Sequence, residues 1–159
     1  APLRVPLGVA REEHAHVAEV IGQHQVDGRI GGRAAVGAHD GVVHHRQFVV
    51  MLVGVHLERE AGLAQVALLQ GAPDQAQGWV DAILPVLIEQ PRAGFTTPFF
   101  TYLTCYRVLV AHQDPRAQPL LQQGWALLQH DAQQIDDVRL RATFLEKVAV
   151  HVELQARIS

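Results

Sequence analysis

Between Ala117 and Ile135 the chain sets Ala117, Leu121, Trp125 (or Gly124), Leu128, Ala132 and Ile135 at steps of three and four residues. That spacing returns each side chain to one face of a 3.6-residue helix; a strand, whose faces alternate at every second residue, could not bury it. The same rhythm recurs on both sides. "REAGLAQVALLQG" places Leu63, Val66, Ala67 and Leu69 or Gln70 at helical steps, with Gly71 as the stop. In the next segment Asp74 is the expected cap of a helix whose stripe is Ala76, Val80, Ile83 or Leu84, and Leu87. Pro85 inside it is expected to kink or shorten it, because proline removes a donor and crowds the preceding turn. Pro91 and Gly94 mark the exit.

Pro98 fits the first turn of a further helix, with Phe99, Leu103, Tyr106 and Val110 on one stripe and Phe100, Thr104 and Val108 beside it. A helix so apolar around its circumference is expected to be sandwiched between neighbours. Asp114 followed by Pro115 is a start signal: the carboxylate accepts from free backbone N–H groups, and proline lacks a donor that would have gone unpaired. Asp136 is the expected cap of a short helix bearing Val138, Leu145 and Val148, with Leu140 and Phe144 alongside. A last helix spans about Ala149 to Arg157. The fold expected is all-α over residues 60–158: antiparallel helix pairs joined by short turns and stacked so that each covers the apolar face of the next. "LAQVALLQGAPDQA" and "TCYRVLVAHQDPRA" align loosely, and a period of 34 to 41 residues belongs to helical-hairpin solenoids.

Leu63, Ala64, Ala67, Gly71 and Ala76 are similar to the small-and-large rhythm of a tetratricopeptide repeat (TPR). "YLTCYRVL", "DPRAQPLL", "WALLQ", "IDDVRLR" and "FLEKV" followed by His151 resemble the C-terminal repeat region of large bacterial signalling ATPases and transcriptional activators, over about residues 60–157. The resemblance implies a TPR-like α-solenoid that receives protein or small-ligand signals, with the NTPase and DNA-binding parts elsewhere in the polypeptide. Two departures leave the number of repeats open: Pro85 interrupts a helix, and His112-Gln113 stands where a Gly is expected before Asp114.

Residues 1–58 do not continue the pattern. They hold seven of the ten His, and short Val-rich pieces, "HVAEVI" and "QFVVMLVGVHL", are separated by "DGRIGG" and "AHDG". Gly-rich breaks between Val-rich runs read as turns between short strands, or as an irregular or disordered segment. The domains expected are therefore an uncharacterised Gly/Val/His-rich segment over 1–58 and a helical repeat domain over 59–159. The abrupt change of texture motivates a hypothesis that 1–58 is read in a different frame from ancestral repeats; helical repeats encoded in another frame of the coding DNA would support it, and their absence there would count against it. The chain starts without Met, and a fragment or a processed product is the expectation.

Composition narrows the function classes. Apolar residues make up 48% and charged ones 18%, unlike a disordered charged tail. A net charge of −3 gives no basic footprint for nucleic acid. The longest apolar run, "FVVMLVGV", is far shorter than the ~20 residues a membrane helix needs. The single cysteine, Cys105, cannot form an internal disulfide, which fits a reducing cytoplasm.

Reactive chemistry finds weak support. His14 and His16 with Glu19, then His39-Asp40, His44-His45 and His56, could offer imidazole and carboxylate to a metal, and a small metal-binding protein or metal-dependent enzyme is the alternative reading. Scattered surface histidines in an irregular segment is the plainer one. Cys105 and His112 lie seven residues apart, about 10 Å along a helix and beyond direct contact. Asp136-Asp137 is read as a helix cap, Arg139 and Arg141 as a solvated face, and Trp79 and Trp125 as core. Gly28, Gly31 and Gly32 match no phosphate loop. No catalytic residue, cofactor or metal ligand is assigned. The function expected is a cytoplasmic, non-catalytic scaffold for a protein or peptide, with Gln122, Gln129, Gln133 and Arg116 as candidate contacts off the apolar stripe.

Overall fold

The computed structural model describes the backbone of residues 39–92 and 94–158, and side chains from residue 50 onward. The chain divides into two units, Ala1–Arg46 and Gln47–Ser159, and the helical core lies in the second. Six helices are described and no strand among them: α1 His39–Leu69, α2 Pro73–Glu89, α3 Pro98–Ala111, α4 Ala117–Gln133, α5 Val138–Lys147 and α6 Ala149–Ile158. The all-α expectation for residues 60–158 holds, and the last helix lies where the sequence puts it.

The strand reading of "QFVVMLVGVHL" is corrected: the segment is helical, and α1 passes through residues 58 and 59 without a break. Val53, Leu57, Ala61, Ala64 and Ala67 are buried at steps of three and four, while the β-branched Val50 and Val55 face outward. The helical stripe begins in the Val-rich piece and ends in the Ala-rich one, so dividing the sequence at residue 59 hid its period. Tertiary burial of that stripe overrides the weak β preference of valine. The "AHDG" break is overturned from His39 onward. "HVAEVI" and "DGRIGG" lie outside the described residues.

Two turns share one chemistry. After α1, the Ala72 N–H donates to Ala67 O at 2.9 Å and the Gly71 N–H to Leu68 O at 3.1 Å, with Gly71 at φ +71°. After α3, the Asp114 N–H donates to Leu109 O at 2.9 Å and the Gln113 N–H to Val110 O at 3.0 Å, with Gln113 at φ +54°. Both are Schellman closures, in which a left-handed residue lets the last carbonyls find donors. In each, a proline follows two residues after the left-handed position: Pro73 and Pro115. The departure noted at His112-Gln113 is thus a Gln performing the role usually given to Gly, and the two segments correspond one residue further along than the loose sequence alignment suggests.

Other caps differ from expectation. α2 begins at Pro73 with Ala72 before it, so Asp74 lies in the first turn and caps nothing. Asp114 closes a turn rather than capping α4: its Oδ1 accepts the Arg116 N–H at 2.8 Å, and the helix begins at Ala117 with Arg116 before it, so Pro115 is not its first residue. Asp137, not Asp136, caps α5, accepting from the N–H groups of Arg139 and Leu140 at 2.8 and 3.0 Å. α2 runs through Pro85 to Glu89. Pro85 and Asp81, whose carbonyl the proline leaves unpaired, are both exposed, so water can satisfy it.

The core gathers around α3, which packs against α2, α4 and α6. Its buried face is Phe99, Tyr102, Leu103, Cys105, Val108 and Leu109; Val110, expected on the stripe, is exposed, and Tyr106 is half-buried. On α2 the stripe Ala76, Val80, Ile83, Leu84 and Leu87 is buried with Trp79. On α4 Gly124 rather than Trp125 takes the buried position, and the Tyr102 ring packs so close that a Cβ there would sit 3.0 Å from it. α5 buries no residue fully: Val138 is 74% exposed and Leu140 is also outward, so its expected stripe is not core. α6 instead buries His151 and Leu154 and packs on both α3 and α4.

Polar pairs fix relative direction. Glu58 on α1 meets Thr96 and Thr97 at the start of α3, and Gln65 meets Arg107 near its end, so α1 and α3 run the same way side by side. Asp81 meets Arg116, and the Ile88 carbonyl accepts from Gln123, so α2 and α4 also run the same way. Gly94, at φ +68°, sits where any Cβ would strike the main chain of Val50 and Met51.

The turn geometry predicts opposite effects at equivalent positions. Gln113→Gly should raise unfolding free energy by about 0.5–1 kcal/mol by relieving a left-handed side chain, while Gly71→Ala, which meets no steric obstacle, should lower it by about 1 kcal/mol. Urea melts of the two variants check this.

Candidate functional site

Three features could carry function: the interior of α3, a polar clasp across α1, α3 and α6, and two surface hollows. Inside α3, Cys105 is fully buried, and burial pushes its thiol up to about 12. The thiolate that nucleophilic chemistry requires is thereby suppressed. His112 caps the end of α3, its N–H donating to Val108 O and Leu109 O, and forms no dyad with Cys105. Tyr102 is also pushed up to about 12, by burial first and by Cys105 second; its hydroxyl donates to Leu87 O at 3.2 Å. The Thr101 and Thr104 hydroxyls are buried without a partner in the same helix. These groups belong to packing rather than to an accessible reaction centre.

The clasp was missed in the sequence because its members are far apart along the chain. Arg107 donates from Nη1 to Gln65 Oε1 at 3.1 Å and from Nε and Nη2 to the Glu153 carboxylate, the first at 3.2 Å. Arg157 adds a second cation at 3.4 Å. Arg107 holds the Glu153 carboxyl below its ordinary range, with Arg157 contributing less. A second cluster joins Arg116 to Asp114 and Asp81, and the Arg116 hydrogen bonds hold the Asp114 carboxyl down.

The candidate contacts fall into place unequally. Gln122 and Gln133 are exposed and Gln129 half-buried, all on one outward ribbon of α4. Arg116 is half exposed but already engaged with Asp81 and Asp114. Asp136 is exposed; Arg141 donates to the Ile135 carbonyl at 2.8 and 3.0 Å in the turn after α4, so it is not simply a solvated side chain. Trp79 is core and Trp125 half-buried.

Of the metal candidates, His14, His16 and Glu19 lie outside the described residues, as do the glycines at 28, 31 and 32 and the side chains of His39, Asp40, His44 and His45. His56 faces Glu60, Nε2 to Oε1 at 3.1 Å. Among the described residues no group of three or more His, Cys, Asp or Glu could hold a metal ion. Nor is any described helix long and apolar enough to cross a membrane.

One hollow, of about 310 Å3, lies between α2 and α4 against Leu84, Ile88, Pro115, Pro119 and Leu120. The other, of about 590 Å3, opens at the start of α3 among Phe95, Phe99, Ile135, Phe144, Val148 and His151. Compared with family models, curated proteins and solved structures, the chain matches none.

Two pH effects follow. Because the folded state keeps Cys105 protonated, its contribution is fully present below an ordinary thiol value of 9.0 and is lost as pH rises through about 12. Cys105→Ala should therefore flatten the alkaline part of a stability–pH curve, and the native thiol should react with a disulfide reagent only as fast as the protein opens. For Glu153 the sign is opposite: its stabilisation is present above the ordinary 4.5 and is lost as pH falls through the lowered folded value. Arg107→Gln should raise the Glu153 titration midpoint seen by NMR and weaken that acid-side dependence.

Proposed function

We propose that this chain is a non-catalytic scaffold that holds a protein or peptide partner on the outward faces of a TPR-like stack of helix pairs, working in the cytoplasm as a C-terminal portion of a bacterial regulatory or signal-transduction protein. One observation carries the reading. Alternate helices run the same way, α1 beside α3 and α2 beside α4, and the α1–α2 and α3–α4 turns close with the same left-handed motif. Repeated hairpins stacked in this manner favour a solenoid, whose continuous outer surfaces suit extended partners. α6, lying on both α3 and α4, takes the place of the first helix of a further pair.

The bacterial regulatory context rests on the sequence resemblance of residues 60–157. The sealed Cys105 supports a structural rather than catalytic use of α3. Affinity in such a scaffold comes from area and a few anchors. The uncharged ribbon of Gln122, Gln129 and Gln133 offers amide donors and acceptors without a desolvated charge to pair.

Site-specific photocrosslinking tests the proposal. A benzophenone amino acid at position 122, 129 or 133, in bacterial cells, should yield one discrete adduct common to the three, and the same probe at exposed Val138 on α5 should not yield it. Adducts identical from all four positions, or a smear from each, would reject partner recognition by this face.

A further inference from the structure

We propose that the hollow at the start of α3 binds a neutral aromatic ring bearing one N–H or O–H donor, an indole or a phenol. Its volume of about 590 Å3 falls within the range of small-ligand sites, roughly 300–1,000 Å3. Phe95, Phe99, Phe100 and Phe144 give it aromatic walls, and Ile135 and Val148 are among its other apolar residues. Such walls favour a ring, which can meet them edge to face or in offset stacks.

The polar groups decide the rest. At the rim, Arg92 is paired with Asp131, and the Thr96 and Thr97 hydroxyls donate to Glu58. A charged ligand would have to compete with a pair already made, so a neutral one is favoured. His151 lies in the wall and is only 7% exposed. Its ring stands edge-on to Phe99, with centroids 4.8 Å apart at 89°, and tilts against Phe144 at 4.3 Å. Nδ1 is 2.7 Å from the Phe144 carbonyl. A carbonyl can only accept, so Nδ1 carries the proton, and in the tautomer with a single N–H the acceptor is Nε2. The packing of Phe99 and Phe144 fixes that ring in place. An apolar chamber whose histidine retains one acceptor selects a ligand that brings one donor, because an unmet polar atom is costly there.

The proposal does not depend on partner binding by α4. Calorimetric titration of the full chain with 3-methylindole and with 1,3-dimethylindole separates shape from hydrogen bonding, since only the first has an N–H. The expected result is binding of 3-methylindole about tenfold tighter than its N-methylated relative. His151→Phe should erase that difference. Val148→Trp, at a position 40% exposed and so able to accept a larger side chain, should abolish binding of both probes while helical circular dichroism and the melt stay as they were. If His151→Phe fails to fold, the probe pair and Val148→Trp carry the test. Equal affinity of the two probes, no binding of either at millimolar concentration, or binding unchanged in Val148→Trp overturns the proposal.

Discussion

Tyr102 holds three helices to one another. Its ring lies against Gly124 of α4, and its hydroxyl reaches the Leu87 carbonyl of α2. That carbonyl needs a partner because the residue four places on is Pro91, which has no N–H to give. The next carbonyl, Ile88, receives the Gln123 side chain. The end of α2 is thus completed by side chains from α3 and α4, and the two interactions require that those helices lie where they do. A small residue at 124, a phenol at 102 and a proline at 91 form one unit: each makes sense only given the other two.

The start of α3 is completed in the same indirect way. Pro98 occupies the first turn, Thr97 caps nothing itself, and the Glu58 carboxylate of α1 accepts from Thr97 instead. A carboxylate is favourable at that end of a helix, where free N–H groups leave partial positive charge. The Arg107 clasp repeats the theme toward the other end, drawing α1 and α6 onto α3. Apolar burial packs these helices together, but it is non-directional; the polar ties set direction and register.

Sequence periodicity was sufficient where a helix buries one stripe. Val80, Leu87, Leu121 and Leu128 are all core. It failed for two physical reasons. Where a helix is covered on several sides, as α3 is, no single stripe is favoured, so Val110 was assigned inward and Tyr102 overlooked. Where an apolar pattern is only partly covered by the described helices, as in α5, hydrophobicity alone cannot reveal how little of it is buried. The clasp and the hollow at the start of α3 were illegible for a third reason: Gln65, Arg107 and Glu153, like Phe99, Phe144 and His151, are gathered only by the fold.

α5 buries none of its residues fully and is held chiefly by the Asp137 cap and by its packing on α6 and α4. Releasing those ten residues uncovers no fully buried side chain, whereas opening α3 uncovers eight, so their amides should exchange with solvent before those of α3. Phe144 rides on that helix, so the aromatic chamber has one wall whose fluctuations are set by α5, while Phe99 stays fixed to the core.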